Sequence, residues 1–359
     1  MSEWKLIKLK FGRHPAHFGE TGIGIEKTSE RVRSDTLFSA WIAAYAKLLG
    51  REDVSELLEN FNTQSAPPFR LSSTFLYQEL SNHTVYYLPR PKTFPSRYPI
   101  GEDIEFAKDY KKLNYLSLEI WRKWYQGSEG FSQTDLQDKA IVAYKQAYKI
   151  EKFPKVAIDR TTRAANFYHT GFVQFNWTSN QEEIKALSGL YLLLNFPTSN
   201  LELVHNLKAA LHFLGEEGIG GERSSGAGRF EVEWCDQLPK EWKSINLADF
   251  KAKHHALMSM FWTNDYAQFS DLGLTPENPS ASYELLERGG WVSSPSSDRQ
   301  ARRKSVKMFT EGSVFSGIPQ GKLADVTPDK FNNPRQGGHK VYRSGIALSL
   351  PIKTSDANS

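Results

Sequence analysis

The sequence predicts an α+β fold, and three observations lead to that class. Short runs that alternate apolar and polar residues, typical of strands, occur near both ends of the chain and between its helical segments. Residues 35–49 and 200–215 carry apolar side chains at the three- and four-residue spacing of amphipathic helices. A glycine-rich loop, residues 218–229, connects the second of these helices to a strand-like run. The length of 359 residues suits about two domains.

The first half follows the order strand, helix, strands, helix, strand. The first helix should begin with Ser34 or Asp35 as its N-cap and end at Gly50, and Asn200 should cap the second helix. Strands are predicted at 4–10, 73–77, 84–88, 187–196 and 230–234. This β-α-β-β-α-β order is that of a ferredoxin-like unit.

The segment between the middle strands is predicted to be a helical insertion of about 89–154 within a first domain of 1–236. Four prolines break regular structure at 89–99, and the dense apolar spacing that follows indicates helices at 104–126 and 134–149. The basic and aromatic residues of 89–99 suit RNA contact, or the segment is a stiff connector. Beyond a linker, the second domain of 240–353 should contain a short helix at 283–288, strands at 306–315 and 342–350, and then a disordered tail at 354–359.

The loop itself, Gly218–Phe230, combines five glycines with two arginines. Glycine permits left-handed backbone and close approach of a ligand, and arginine binds phosphate oxygens. A dinucleotide-binding fingerprint or a P-loop requires strand, loop, helix, whereas this loop follows a helix and precedes a strand. Both nucleotide-cofactor motifs are therefore rejected, and we expect no cofactor.

Composition excludes several classes of protein. The net charge of +4 argues against a histone-like polycation, so anion binding depends on where charges cluster. The single cysteine, Cys235, excludes an intrachain disulfide and a multi-cysteine metal site, and it fits a reducing cytoplasm. We expect no targeting signal, no membrane span and no resident metal.

Three other basic segments are candidates for RNA contact, each with a plainer explanation. Residues 13–19 contain Arg13, His14 and His17, and the plainer explanation for them is an exposed polar loop. Residues 159–163 place hydroxyls between two arginines. This arrangement suits contact with a phosphate backbone, and the plainer explanation is internal salt bridges.

Residues 293–304 carry the densest positive cluster (Arg299, Arg302, Arg303 and Lys304). It is a candidate to bind RNA or an acidic partner surface, and the plainer explanation is a solvated loop.

The pattern G-x-G-G-x-R-x-x-G-x-G-x-F at 218–230 resembles the signature loop of the RAMP proteins of CRISPR systems. Segments 34–40, 159–163, 289–291 and 311–315 extend the similarity over most of the chain. Together they resemble the Csm-family subunit of type III-A effector complexes that holds the 5′ handle of the crRNA. The resemblance implies a second ferredoxin-like domain, a non-catalytic role, and two protein partners: the large polymerase-like subunit and a backbone RAMP subunit.

The resemblance also assigns expected roles to individual residues. Glycines of the loop would pack against phosphates, its arginines would neutralise them, its serines would donate hydrogen bonds, and arginines 160 and 163 would extend the track. The expected RNA-binding residues are Gly220, Gly221, Arg223, Ser224, Ser225, Gly226, Gly228, Arg229, Arg160, Arg163, Arg13 and His17.

Two alternatives to RNA recognition stay open at this point. Related RAMP proteins process the crRNA precursor without a metal, and His14 and His17 would be the candidates for that chemistry. An adaptor that contacts only proteins is the other alternative, because glycine loops also form structural turns. Asp35 resembles the cleavage aspartate of backbone subunits, but a helix cap explains it more simply, and a lone carboxylate is a poor Mg²⁺ site.

Overall fold

The computed structural model describes residues 2–19, 24–81, 83–98, 108, 110–132, 134–135, 139–180, 183–249, 251–277, 279–292, 301–329, 331 and 339–354. Its mixture of helices and antiparallel strands confirms a mixed α/β class. The helices are α1 (Ser34–Leu49), α2 (Arg51–Thr63), α3 (Leu118–Tyr125), α4 (Lys139–Gln146), α5 (Leu201–Glu217) and α6 (Gln268–Asp271).

The strands of the N-terminal half are β1 (Glu3–Lys10), β2 (Arg70–Leu71), β3 (Phe75–Glu79), β4 (Thr84–Pro89), β5 (Tyr115–Ser117), β6 (Tyr148–Ile158), β7 (Ala165–Phe175), β8 (Trp177–Asn180), β9 (Glu183–Ala186), β10 (Ser188–Phe196) and β11 (Glu231–Cys235). Those of the C-terminal half are β12 (His254–Leu257), β13 (Leu285–Arg288), β14 (Val306–Phe309), β15 (Val314–Phe315), β16 (Leu323–Asp325), β17 (Tyr342–Ser344) and β18 (Ser349–Ile352).

One antiparallel sheet organises the N-terminal half, in the order β11-β1-β10-β3-β4-β5, with β2 also paired to β10. Every residue of β10 is buried, as its continuous apolar run predicts for a central strand covered on both faces. Helices α1 and α5 pack together on one face, where Trp41 Nε1 donates to the carbonyl of Leu207 at 2.8 Å. The other face is covered by α3 and by the linker after β11, through Trp121, Trp124 and Trp242.

Both long helices end where the sequence predicts, but α1 begins differently. The side chain of Asn200 accepts from Leu203 N at 3.0 Å, which confirms the cap of α5, and Gly50 ends α1 with φ +103°. The N-cap of α1 is Arg33, without a side-chain cap. The prediction of Ser34 or Asp35 as the cap was wrong because both side chains are turned into buried contacts with the C-terminal half.

The insertion contains more strand than the sequence predicts. β5 ends one residue before α3, so a single helix over 104–126 was wrong within the described residues; 104–107 and 109 lie outside them. The second predicted helix is confirmed only as α4, because Tyr148 already begins β6. β6 and β7 form an 11-residue hairpin, and the boundary placed at 154 falls inside it.

The C-terminal half is built on the three-stranded sheet β15-β12-β18 and on the hairpins β13-β14 and β16-β17. The helix predicted at 283–288 was wrong. Leu285 and Glu287 are exposed while Arg288 is buried, the two-residue period of a strand, and β14 supplies the pairing that overrides helix propensity. Of the tail predicted to be disordered at 354–359, Thr354 is paired in a bridge with Pro95, so the prediction was wrong there; residues 355–359 lie outside the described residues.

The two halves are packed against each other around the start of α1. Ser73 N donates to Met258 O at 2.8 Å, and Met260 N donates to Ser34 Oγ at 2.8 Å. These bonds place the N-terminus of α1 next to the strands of the C-terminal half. Among the described helices, none combines the length and apolar character needed to cross a bilayer.

Candidate functional site

The glycine loop after α5 is closed by its own backbone and by the segment after β1. Ile219 N donates to Gly228 O at 2.9 Å, and Gly228 N donates to Pro15 O at 2.8 Å. Gly228 has φ +77°, and a Cβ there would overlap the carbonyl oxygen of Ile219. Glycine is therefore required at this position both by conformation and by space.

His17 packs under the same loop. Gly221 N donates to His17 O at 2.8 Å, and a Cβ on Gly220 would overlap that carbonyl oxygen. The His17 ring nitrogen Nδ1 lies 2.7 Å from Gly171 O and therefore carries the proton and donates. Glu222 has left-handed backbone, φ +59°, and its carboxylate pairs with Lys155 of β6, which links the loop to the hairpin.

A groove of about 570 Å³ runs between the glycine loop, α1 and the C-terminal half. The loop lines it with Gly218–Gly221 and Arg223, and the C-terminal half lines it with Arg288–Trp291. Its cationic lining side chains are Arg31, Arg33, Lys47, Arg223, Arg288, Arg303 and Arg343. The acidic lining residue among the described residues is Glu217, which pairs with Lys47 at 2.6 Å.

Asp35, buried behind the groove-lining residues Arg288 and Arg343, is an ion-pair partner of the C-terminal half. Its side chain is fully buried, Arg288 Nε donates to Asp35 Oδ2 at 2.8 Å, and Arg343 Nη1 donates to the same oxygen. Burial would raise the pKa of Asp35, but the charges of Arg288 and Arg343 outweigh it and hold that pKa below its usual 3.8.

Glu311 forms the reciprocal arrangement. This carboxylate of the C-terminal half accepts from Arg31 at 2.9 and 3.0 Å and from Arg33 at 2.5 Å, and the hydroxyl of Ser73 also donates to it. Burial again opposes ionisation, yet Arg31 and Arg33 lower the pKa of Glu311 far below 4.5. Each half thus buries one carboxylate between two arginines of the other. We call these six residues the clasp: Arg31, Arg33, Asp35, Arg288, Glu311 and Arg343.

The clasp makes the stability of the fold depend on acid pH. A carboxylate with a depressed pKa in the folded state stabilises the fold above its unfolded pKa and loses that contribution as pH falls below it. For Glu311 the loss begins near 4.5 and amounts to about 1.4 kcal/mol per pH unit. The advantage of the wild type over Glu311→Gln in free energy of unfolding should therefore shrink by about 2 kcal/mol between pH 5 and 3.

Urea unfolding at a series of pH values measures this difference. Glu217→Gln is the matched control, because its pair with Lys47 is partly exposed and such pairs contribute about 0–1 kcal/mol. Equal pH dependence for the two variants would contradict the clasp as a source of acid sensitivity.

Arg303 stands apart from the clasp although it lies beside it. Its Nε is buried and has no hydrogen-bond partner in the described part of the chain, and the same is true of Arg343 Nε. Burial, and then the nearby charge of Arg343, lowers the pKa of Arg303 to about 10. The groove therefore holds more positive charge than its carboxylates compensate, which favours an anion.

The structure divides the residues expected to bind RNA into groups. His17, Gly220, Gly221 and Arg223 line the groove. Arg229 and Arg13 lie beside His14, whose pKa is lowered by burial and then by these two arginines. The remaining loop residues, Ser224, Ser225, Gly226 and Gly228, do not line the groove, and Ser225 Oγ donates to Glu222 O at 2.8 Å within the loop.

Arg160 and Arg163 are exposed at the turn between β6 and β7. Asp159 accepts there from Thr161 N and Thr162 N at 2.8 and 2.7 Å, and Arg163 has φ +58°. Internal salt bridges, the plainer sequence-based explanation for these arginines, do not occur among the ion pairs of the described residues.

Sequence reasoning missed most of the arginines in the groove. Arg288 was assigned to a helix, and Arg343 sits within a predicted strand. A usable signal was present, since an arginine at an inward position of an apolar strand must find a buried partner. The basic cluster at 293–304 was predicted as a candidate for RNA contact, and Arg303 is the member of it that lines the groove. Residues 293–300, including Arg299, lie outside the described residues.

No group of three or more metal-ligating side chains occurs among the residues that the structure describes. Asp35, the one carboxylate considered as a Mg²⁺ ligand, already accepts from two arginines. Its site is electropositive and suits an anion better than a cation.

Comparisons with known proteins agree on one family. Residues 13–231 match the model of the RAMP superfamily, and residues 251–352 match that of the CRISPR Csm4 C-terminal domain. The "CRISPR system Cms protein Csm4" of Methanocaldococcus jannaschii is 26% identical over 390 residues, covering 95% of this chain and 96% of the relative. The protein of that name from Streptococcus thermophilus is 27% identical over 334 residues, covering 91% and 94%.

Solved structures show the same fold. A chain in the crystal structure of the Csm3-Csm4 subcomplex of the type III-A CRISPR-Cas interference complex superposes with a TM-score of 0.59 at 20% identity, covering 97% of this chain and 99% of that one. A chain of the Csm1-Csm4 cassette in complex with pppApA gives a TM-score of 0.56 at 19% identity, covering 99% and 100%.

Proposed function

We propose, from the premise that this chain belongs to the RAMP superfamily and within it to the Csm4 family, that it is a non-catalytic subunit of a type III-A CRISPR effector complex that binds the crRNA 5′ handle in the groove. The observation that carries the proposal is the groove itself. It brings the signature loop and arginines from both halves onto one surface with excess positive charge. Phosphate contacts from such side chains supply nearly all of the non-specific affinity of a protein for nucleic acid and a large share of its specific affinity.

Single-stranded RNA is the form of nucleic acid that the groove favours. A groove of about 570 Å³ with an exposed tryptophan at its rim suits a strand whose bases are free to stack. Arg160 and Arg163, on the turn of the β6–β7 hairpin, would contact phosphates of the same RNA strand outside the groove. Arg13 and Arg229 would form a separate cationic contact beside His14.

Strand order supports a ferredoxin-like topology for each half. In the first, β11-β1-β10-β3 is the 4-1-3-2 order of that fold, with everything from β4 to β9 as an insertion. In the second, β18-β12-β15 gives 4-1-3, and the bridge between Ser282 and Val314 supplies the fourth position. The domain limits of 1–236 and 240–353 follow the same division.

The partners are proposed from the relatives. Solved structures that share the fold contain Csm4 together with Csm3 and with Csm1. We infer that this chain contacts the corresponding backbone and large subunits, and that it works in the cytoplasm.

A metal-independent ribonuclease is the competing enzyme function, and its candidate base is His17. The ring lines the groove, and because Nδ1 is engaged with Gly171 O, Nε2 is the ring nitrogen that would contact a substrate. Against it, the ring is buried beneath Gly19 and Gly221, with little room for a ribose 2′-hydroxyl. The experiment below keeps cleavage as an outcome.

The full-length protein is mixed with labelled RNA that carries or lacks the 5′ handle, in EDTA, and both affinity and cleavage are measured. We expect intact RNA that binds more tightly when the handle is present. Arg223→Ala should weaken binding about tenfold and reduce the slope of log K against log salt by about 0.7, because it removes one phosphate contact. Arg122→Ala, an exposed arginine on α3 outside the groove, is the control.

The outcomes separate the hypotheses. Cut RNA, and loss of cutting in His17→Ala, would establish the nuclease. Equal affinity for both RNAs, or equal effects of Arg223→Ala and Arg122→Ala, would remove the groove as the handle site and leave the protein adaptor.

A further inference from the structure

Two buried arginine nitrogens beside the groove have no hydrogen-bond acceptor among the residues that the structure describes. Nε of Arg303 and Nε of Arg343 are both buried, and neither has a hydrogen-bond partner among the described residues. Arg343 is only 3% exposed. Buried donors in folded proteins are almost always paired, so two neighbouring unpaired donors indicate a ligand that accepts hydrogen bonds.

The charges around these nitrogens specify that the ligand is an anion. Asp35 is shared between Arg288 and Arg343, and within the described part of the chain Arg303 has no carboxylate of its own. The pKa of Arg303 is lowered to about 10 mainly by burial and then by the charge of Arg343, and the charge of a bound anion would offset both effects.

The backbone next to Arg303 leaves space for a ligand and carries an aromatic ring. Arg303 N donates to Gly290 O at 2.8 Å, and Trp291 pairs with Arg302 in the same short ladder. Apart from its two chain neighbours, no described residue has a heavy atom within 4 Å of where a Cβ on Gly290 would be. Trp291 lines the groove with 64% of its surface exposed.

We propose that Arg303 and Arg343 bind one phosphodiester of the RNA and that Trp291 stacks on the base of an adjacent nucleotide. This inference rests on the proposed function and adds a defined subsite to it. The arginines supply charge-assisted hydrogen bonds to the non-bridging oxygens, and the indole accepts any base, because every base presents a π-face. The subsite thus holds the strand without reading its sequence.

The test measures the affinity of the full-length protein for labelled handle RNA across a salt series. Arg303→Ala should weaken binding about tenfold and lower the salt slope by about 0.7. Arg302→Ala removes the same charge one residue away and outside the groove lining, and should change affinity less than twofold. Because Arg303 is repelled by Arg343, its removal should leave the urea midpoint unchanged or raised.

Trp291→Ala should weaken binding between about 5- and 100-fold without a change in salt slope, and Trp291→Phe should retain most of the affinity. Tyr266→Ala, an aromatic residue 77% exposed and outside the groove lining, is the control. RNAs that each carry one abasic nucleotide locate the stack. When the missing base is the one that stacks on Trp291, the RNA should bind to the wild type and to Trp291→Ala with equal affinity. Arg303→Ala should still weaken the binding of that RNA.

The failures are distinguishable. If the wild type does not prefer handle RNA, the proposed function fails and the subsite falls with it. If the wild type prefers it but Arg303→Ala equals Arg302→Ala, or if no abasic position removes the Trp291→Ala loss, the subsite alone is overturned. A lowered urea midpoint in Arg303→Ala with unchanged salt slope would assign Arg303 a structural role and also overturn it.

Discussion

Asp35→Ala should lower the free energy of unfolding by about 3–5 kcal/mol, which is the cost of leaving buried charges without their partner. The substitution removes the carboxylate that Arg288 and Arg343 share and that also lies near the charge of Arg303. Because a typical domain is stable by about 5–15 kcal/mol, this one side chain decides whether the two halves stay packed.

Urea unfolding of the purified full-length protein measures the loss. Asp53→Ala, an exposed aspartate in the first turn of α2, makes the same chemical change and should cost less than about 1 kcal/mol. If Asp35→Ala does not fold, the triple variant with Arg288→Met and Arg343→Met tests the same idea, since an apolar replacement of a buried ion pair restores most of the stability. A fall of less than 1 kcal/mol in Asp35→Ala would show that the clasp does not hold the halves together.

Gly228→Ala should disrupt the signature loop, whereas Gly226→Ala should leave it largely intact. Both glycines have left-handed backbone, with φ +77° and +83°, so alanine costs about 1–2 kcal/mol at either position. Only at Gly228 would the new Cβ overlap a backbone carbonyl, that of Ile219, which cannot move without breaking the loop's own hydrogen bonds. At Gly226 the space is open.

The loss at Gly228 therefore includes two backbone hydrogen bonds of about 1 kcal/mol each, to Pro15 and Ile219, in addition to the conformational cost. We expect a total of roughly 3 kcal/mol and at least a tenfold larger loss of handle-RNA affinity than in Gly226→Ala. Urea unfolding and RNA binding of the two variants measure this. Equal behaviour of the pair would mean that left-handed conformation alone, and not close packing, selects glycine in this loop.

These glycines also show how far a motif can be interpreted before the fold is known. The spacing of glycines and arginines predicted a loop that approaches phosphates. In the structure, Gly220 and Gly228 are required because the backbone carbonyls of His17 and Ile219 lie against them. Local sequence carries the requirement for glycine, but the group that approaches it comes from elsewhere in the chain.

The elements of the first half were largely predictable from the sequence, because their signals are local. The cap Asn200, the stop at Gly50 and the apolar run of β10 each act within a few residues of where they stand. The segment 283–288 was predicted wrongly because its structure is decided by a distant partner rather than by local signals. Its leucine and glutamate residues favour a helix, and only pairing with β14 makes it a strand.

By itself, the sequence determined the α+β class, the course of the first half and the family, since periodicity, caps and the glycine signature are written in contiguous residues. Only the tertiary structure decided what Asp35 does and where the groove lies. Arg31 and Arg33 are separated from Glu311 by more than half the chain, as is Asp35 from Arg288 and Arg343. Buried charges choose partners by proximity in space, and local patterns carry no record of that proximity.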